Sequence, residues 1–153
     1  MLERCQARSF VGAPFQNVVF TRLGWLMPDA ETMQATFERL TTLFAPYRKD
    51  LVVTTDEPGH LYLDAPPSPS YPKGLFFGAV KIGKRYVSFH LMPVYVHPEL
   101  LDGISPALRK RMQGKSCFNF TAPDDALFAE LGSLTQAGFD FYTRDGFLRD
   151  AGS

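Results

Sequence analysis

The chain has 153 residues, of which 45% are hydrophobic and 14 are phenylalanine, enough for one domain with a sizeable core. Sixteen Lys and Arg side chains balance 16 Asp and Glu side chains, so no net field draws the protein towards nucleic acid or an anionic membrane. The composition therefore predicts a single soluble unit with no nucleic-acid or membrane partner.

The cysteine content and the length of the apolar segments indicate the cellular compartment of the protein. Only Cys5 and Cys117 are present, far apart and without a CxxC spacing. This usage is typical of a reducing compartment and argues against a disulfide framework or a zinc site, so we expect free thiols. No stretch approaches the roughly 18 apolar residues of a membrane span, and the first residues lack the apolar core of a signal peptide. These features predict a cytoplasmic protein.

Residues 1–28 are interpreted as an N-terminal arm. Short apolar runs at 17–20 and 23–27 are broken by Pro14 and Gly24, and Pro28 ends the segment. We expect this segment to be a strand or an arm laid against a domain formed by residues 29–150, and one alternative is that it covers the open face of the predicted sheet.

The first helix is predicted after Pro28. Asp29 is a suitable N-cap, and the following apolar residues recur at intervals of four, three and four, which places them on one face of a helix. These residues are Met33, Phe37, Leu40 and Phe44. The helix should end before Pro46 and lie on the core.

A hairpin and a proline-rich loop follow. Residues 51–55 and 60–64 read as two strands around the turn signal Pro58-Gly59. Four prolines between residues 65 and 72 remove backbone donors, which predicts an extended surface loop.

The central hairpin is the most informative segment. Residues 75–82 and 85–92 flank Gly83-Lys84, and a glycine at the first of two loop positions favours a type II′ turn. That turn pairs Val80 with Val87, Gly78 with Phe89 and Phe76 with Leu91 on an apolar face. The opposite, mixed face receives the pairs Lys81 with Tyr86, Ala79 with Ser88 and Phe77 with His90.

The C-terminal third alternates helix and strand. Ser105-Pro106 opens a short helix that Gly114 closes, and residues 115–120 form a strand with Phe118 and Phe120 on one side. A last helix starts at Asp124 or Asp125 and should stop near Gly138. Residues 139–142 could add an edge strand.

These elements predict an α+β fold. Amphipathic helices need an apolar surface, so the simplest architecture is a two-layer sandwich: an antiparallel sheet of about five or six strands with about three helices on one face. The mixed face would then be open and would collect the candidate ligand-binding residues. These are Tyr62, Phe77, Lys81, Tyr86, Ser88, His90, Cys117 and Asn119. His60 and His97 stand beside turn prolines and are interpreted as solvated.

The order of elements resembles the YdhG-like group of small bacterial domains. The resemblance covers roughly residues 29–142, and its sharpest pieces are the central hairpin and the strand that begins Gly114-Lys115-Ser116. It implies a frataxin-like fold and a non-enzymatic domain, with iron handling proposed for some relatives. Frataxin-type iron binding is attributed to an acidic ridge along the first helix and strand. The acidic residues of this region are thinly spread in this chain: Asp29, Glu31, Glu38, Asp50, Asp56 and Glu57.

Three functions are therefore considered. The favoured one is a non-catalytic domain that binds a small molecule or a protein partner on the open sheet face, as a monomer or homodimer. The first alternative is an iron or divalent-metal chaperone of frataxin-like type. For this alternative iron is the possible metal, but no residue is assigned as its ligand, and no other cofactor is predicted. The second alternative is a small enzyme with Cys117 as nucleophile and His90 as base, because a thiolate needs such a neighbour.

Overall fold

A computed structural model describes residues 28–148. The predicted arm, except Pro28, and the last two residues of the predicted domain lie outside this part of the chain. Four α-helices are described: α1 (Ala30–Thr42), α2 (Pro93–Val96), α3 (Pro106–Arg109) and α4 (Asp125–Arg144). The strands are β1 (Val52–Glu57), β2 (His60–Ala65), β3 (Leu75–Ile82), β4 (Val87–Leu91) and β5 (Cys117–Phe120), and 3₁₀ helices cover Ala45–Asp50 and Pro98–Leu101.

The five strands form one open antiparallel sheet in the order β1-β2-β3-β4-β5. Every strand thus pairs with its neighbour in sequence, the commonest arrangement of consecutive strands. The predicted α+β class is confirmed, and the strand number falls within the predicted range.

Helix α1 forms as its sequence predicts. The Asp29 side chain accepts a hydrogen bond from the Thr32 backbone N–H at 2.7 Å, which satisfies one of the free donors of the first turn. Met33, Phe37 and Leu40 are buried on one side. This helix therefore covers part of the core.

The first hairpin also agrees with its prediction. Glu57 pairs with His60, so Pro58-Gly59 is a two-residue turn. Gly59 has a φ of +80°, a value that glycine adopts without strain.

The central hairpin corrects the predicted register. Ile82 pairs with Val87, which leaves residues 83–86 as the loop. The Gly83 N–H donates to the Tyr86 carbonyl at 2.9 Å, so Lys84-Arg85 and not Gly83-Lys84 lie at the tip of this loop. A type II′ turn requires a positive φ at its first central residue, and Gly83 is not one of the described glycines with positive φ. The predicted cross-strand pairs are wrong by two positions. Because side chains alternate with a period of two, a two-residue shift leaves each side chain of β4 on its predicted face.

A β-bulge corrects the placement of Phe77. Leu63 pairs with Gly78 and Asp64 with Phe76, so Phe77 is the extra residue on β3. Its side chain is fully buried against the helices, 5.3 Å from the Tyr142 ring. Phe76 takes the place on the opposite face that was predicted for Phe77.

The core centres on an aromatic contact between the end of α1 and the sheet. Phe44 stacks on Phe89 at 4.7 Å and meets Phe77 edge-on at 5.9 Å. A Cβ at Gly78 would lie 2.5 Å from the Phe44 ring. The missing side chain at Gly78 is what lets this ring approach the strand.

Helix α4 corrects the predicted C-terminal end. It runs through Gly138 to Arg144, so residues 139–142 are helical and the predicted edge strand is wrong. Tertiary packing explains the glycine, because a Cβ at Gly138 would lie 2.7 Å from the Pro93 side chain. The buried positions Leu131, Leu134 and Tyr142 continue one helical stripe past the glycine.

The segment before β5 covers the edge of that strand. Ser105 caps α3 through the Leu108 N–H at 3.1 Å, as predicted. The Asn119 N–H donates to the Arg111 carbonyl at 2.8 Å, and the Gln113 N–H donates to the Cys117 carbonyl at 2.9 Å. Within residues 28–148, no helix has the length and apolar character needed to cross a membrane.

Candidate functional site

One side of the sheet carries a line of polar residues, one from each strand. Glu57 pairs with His60, His60 with Lys81, Lys81 with Ser88, and Ser88 with Asn119. Paired residues point to the same side of a sheet, so all five share a face. We call this set the polar row and its side of the sheet the polar face; Val80 and Phe89 belong to the opposite face.

Two polar atoms of the polar row are buried without a hydrogen bond. His60 Nε2 and Ser88 Oγ find no partner among the described residues. Ser88 is 2% exposed, so its hydroxyl has little access to bulk water. A buried polar atom left without a partner costs about 1–3 kcal/mol, and such atoms in native proteins require an explanation. Both atoms flank the same residue, Lys81.

Lys81 supplies the positive charge of the polar row. Its side chain is partly exposed, and it makes no ion pair within residues 28–148. Burial lowers the pKa of His60, and the charge of Lys81 lowers it further. His60 is therefore a neutral imidazole at pH 7, able to donate or accept one hydrogen bond beside an ammonium group.

Aromatic rings lie beside the polar row. Tyr62 stacks on Phe76 with ring centroids 4.6 Å apart, and Phe76 lies 5.2 Å from the His90 ring. Tyr62 is two residues beyond His60 on β2, a distance of about 6.6–6.8 Å along a strand. Both Tyr62 and Phe76 are partly exposed. The polar face thus presents two partly exposed aromatic rings next to a cation and two polar atoms without partners.

Most of the β4–β5 side of this face is buried, contrary to the open surface that the sequence predicted, although Asn119 is partly exposed. His90 and Cys117, at 2% and 1% exposure, form a cross-strand pair. His90 Nε2 and Ser116 Oγ share a hydrogen bond at 2.9 Å. Burial lowers the pKa of His90 to about 4, so the imidazole is neutral at pH 7. The face remains partly exposed on its β2–β3 side.

Cys117 corrects a further prediction. It is disulfide-bonded, so the expected free thiol is wrong at this position, while Cys5 lies outside the described residues. Sequence spacing could not reveal this, because bonding depends on the three-dimensional separation of the two Cα atoms. A disulfide sulfur is not a thiolate nucleophile. Disulfides also persist mainly in oxidising compartments, which weighs against the cytoplasmic location that remains a prediction.

Gln113 joins two of the predicted residues. Its Oε1 accepts hydrogen bonds from the Asn119 side-chain amide at 2.7 Å and from the Tyr86 hydroxyl at 3.2 Å. Tyr86 belongs to the hairpin loop and not to β4, because of the longer turn. The amide of Asn119 is thereby held at the end of the polar row.

The sequence-predicted residues fall into two groups on the polar face. Tyr62, Lys81 and Asn119 are partly exposed there, as is Tyr86 in the hairpin loop, whereas Ser88, His90 and Cys117 are buried. Phe77 lies in the core. Phe76 and Gln113 were missed, and His60 was interpreted as solvated. Phe76 is placed by a bulge and Gln113 by a loop contact, and neither has a clear sequence signal. The alternation of His60 with the apolar Leu61, in contrast, is a sequence signal that places His60 on this face.

The described residues contain no group of three or more His, Cys, Asp or Glu side chains that could hold a metal ion. On α1, Asp29 acts as the N-cap, and Glu38 accepts a hydrogen bond from the Gln34 side chain at 3.0 Å. The iron alternative therefore gains no support from these contacts.

The chain matches no family model, no curated protein and no solved structure.

Proposed function

We propose that this protein is a non-catalytic domain that binds a small molecule on the polar face of its sheet. The observation that carries the proposal is the pair of buried atoms without partners, His60 Nε2 and Ser88 Oγ, on either side of Lys81. A bound ligand would satisfy both atoms and recover the free energy that their burial costs. The stacked Tyr62 and Phe76 rings would supply apolar contact beside them.

The arrangement favours binding over catalysis. A general base must lie within hydrogen-bond reach of a substrate and be oriented by its neighbours. His90 is buried and already bonded to Ser116, and Cys117 is disulfide-bonded. His60 has no described group that orients its ring through a hydrogen bond.

A titration with indole, a neutral aromatic probe, tests binding on this face. We expect the backbone amide signals of Tyr62, Phe76 and Lys81 to shift and to saturate at millimolar indole, the range of weak contacts between small molecules and proteins. Two-dimensional ¹H–¹⁵N NMR measures these shifts.

Two tyrosine variants serve as a matched pair for that titration. Tyr62→Ala should abolish the shifts, whereas Tyr95→Ala should keep them, because Tyr95 is an exposed tyrosine on α2 away from the polar row. Shifts of equal size on the helices, or none at the polar face, would refute the proposed function.

The finer fold is part of the same proposal: a two-layer, frataxin-like arrangement related to the YdhG-like domains. It is supported by contacts of both long helices with the face opposite the polar row, where Phe44 meets Phe89 and Tyr142 meets Phe77. In a two-layer protein, the helices lie on the opposite face and do not cover Lys81. An experimental structure with a helix of the domain packed over Lys81 would contradict it.

A further inference from the structure

We infer that the ligand of the polar face is an organic anion, an aromatic carboxylate whose charged group lies beside Lys81 and whose ring lies on Tyr62 and Phe76. This inference rests on the proposed function and specifies the class of ligand. It follows from the charge, the hydrogen-bonding capacity and the spacing of the described groups.

The charge at this position favours an anion. Lys81 has no carboxylate partner in an ion pair among the described residues, and the neighbouring His60 is neutral. Glu57, the one acid of the polar row, lies two strands away from Lys81 in the order of the sheet. A carboxylate beside Lys81 would make a charge-assisted hydrogen bond, which is stronger than a neutral one.

The hydrogen-bonding groups fit the oxygens of a carboxylate. Ser88 can donate its hydroxyl proton, and His60 can donate from Nε2 in one tautomer. Lys81 pairs with His60 on one side and with Ser88 on the other. A carboxylate bound to the Lys81 ammonium group would therefore have a hydrogen-bond donor on each side. The Lys81 side chain has a flexible four-carbon stem and is partly exposed, so its ammonium group can turn towards a carboxylate that binds beside it.

The spacing sets the shape of the ligand. One strand repeat of about 6.6–6.8 Å separates the polar row from Tyr62, so the ring and the carboxylate must be joined by a short linker. 3-Phenylpropanoate has this form, and 3-phenylpropanamide is its uncharged counterpart with nearly the same shape. The two compounds differ mainly in the property on which the inference depends.

Affinities of the purified chain for both compounds test the inference, measured by the NMR shifts of the polar face. The acid should bind about tenfold more tightly than the amide, as expected when one charge-assisted contact is added. Lys81→Met should reduce the affinity for the acid to that for the amide and leave the amide unaffected. Ser88→Ala should also weaken acid binding.

Lys49→Met is the matched control, since Lys49 is exposed on the first 3₁₀ helix, and it should bind the acid as the unmodified chain does. Equal affinities for acid and amide, or an unchanged affinity for the acid in Lys81→Met, would overturn the inference. In that case, saturable indole shifts at Tyr62 would leave the proposed function standing. Failure of all three probes to shift the polar face would overturn both.

Discussion

Ser88 and His90 lie two residues apart on β4 and point to the same side of the sheet, yet their polar atoms have different surroundings. His90 Nε2 is bonded to Ser116, whereas Ser88 Oγ has no partner among the described residues. Burial of similar extent thus gives a satisfied structural group at one position and a potential ligand contact at the next. His90 and Ser88 were both candidates from sequence, but Ser88 and His60 carry the proposal.

The buried imidazole of His90 makes stability depend on pH. The folded-state pKa is about 4, below the ordinary value of 6.5, because burial disfavours the charged ring. As the pH falls below 6.5 the unfolded chain binds a proton that the folded chain excludes, so the free energy of unfolding decreases until the folded form also protonates near pH 4. We expect a loss of about 2 kcal/mol between about pH 7 and about pH 5 from this residue.

Urea unfolding at several pH values measures this loss, with His90→Gln as the comparison. The variant should lack this part of the pH dependence, and the His90 ring signals in NMR should titrate near pH 4 in the folded protein. A variant that loses as much stability as the unmodified chain over the same range would show that His90 is not responsible.

At the scale of elements, α4 contains two glycines in different surroundings. A Cβ at Gly132 would lie 3.5 Å from the Leu43 side chain, an ordinary contact, whereas one at Gly138 would lie 2.7 Å from Pro93. Local propensity treats both glycines as weak points of a helix. Only Gly138 is required by packing, because a larger residue would collide with Pro93. The same contact explains why α4 continues past Gly138.

Alanine substitutions at these two positions should therefore have opposite effects. Gly132→Ala should stabilise the protein by about 0.5–1 kcal/mol through helix propensity. Gly138→Ala should destabilise it by about 1–3 kcal/mol because α4 and α2 would be forced apart. Denaturant midpoints measure both changes, and a stabilising effect at Gly138 would contradict the close packing.

At the scale of the whole molecule, α4 joins the C-terminal end of the described chain to the centre of the sheet. The Tyr142 hydroxyl donates to the Phe76 carbonyl at 2.7 Å, next to the bulge that buries Phe77. Burial raises the pKa of Tyr142 above its ordinary range, so the hydroxyl keeps its proton and remains a donor. This bond therefore connects α4 to Phe76, whose ring forms part of the proposed site.

Tyr142→Phe should lower the free energy of unfolding by about 1–2 kcal/mol, since it leaves a carbonyl without its donor. Tyr71→Phe is the control, because Tyr71 is 41% exposed and its hydroxyl can bond to water, and it should have almost no effect. Urea unfolding compares the two. Equal stabilities of both variants would mean that the bond to Phe76 contributes nothing.

Local sequence patterns determined where most elements form. Asp29 and the spacing of Met33, Phe37 and Leu40 specify α1, and alternation in β2 separates Leu61 from His60 and Tyr62. Such patterns depend on neighbours within a few residues, which is why they can be read directly. Although the central turn was predicted at the wrong residues, Ser88 and His90 were assigned to the correct face of the sheet. The predicted pairing was wrong by two residues, and side chains alternate between faces with a period of two.

Tertiary structure alone decided the features that depend on distant contacts. The bulge exchanges Phe76 and Phe77 between the two faces, α4 continues past Gly138 against Pro93, and Cys117 is disulfide-bonded. The polar row itself needs the register of five strands, which no single segment encodes. Cross-strand pairing and burial are properties of the assembled sheet, so only the tertiary structure places the two buried polar atoms beside Lys81.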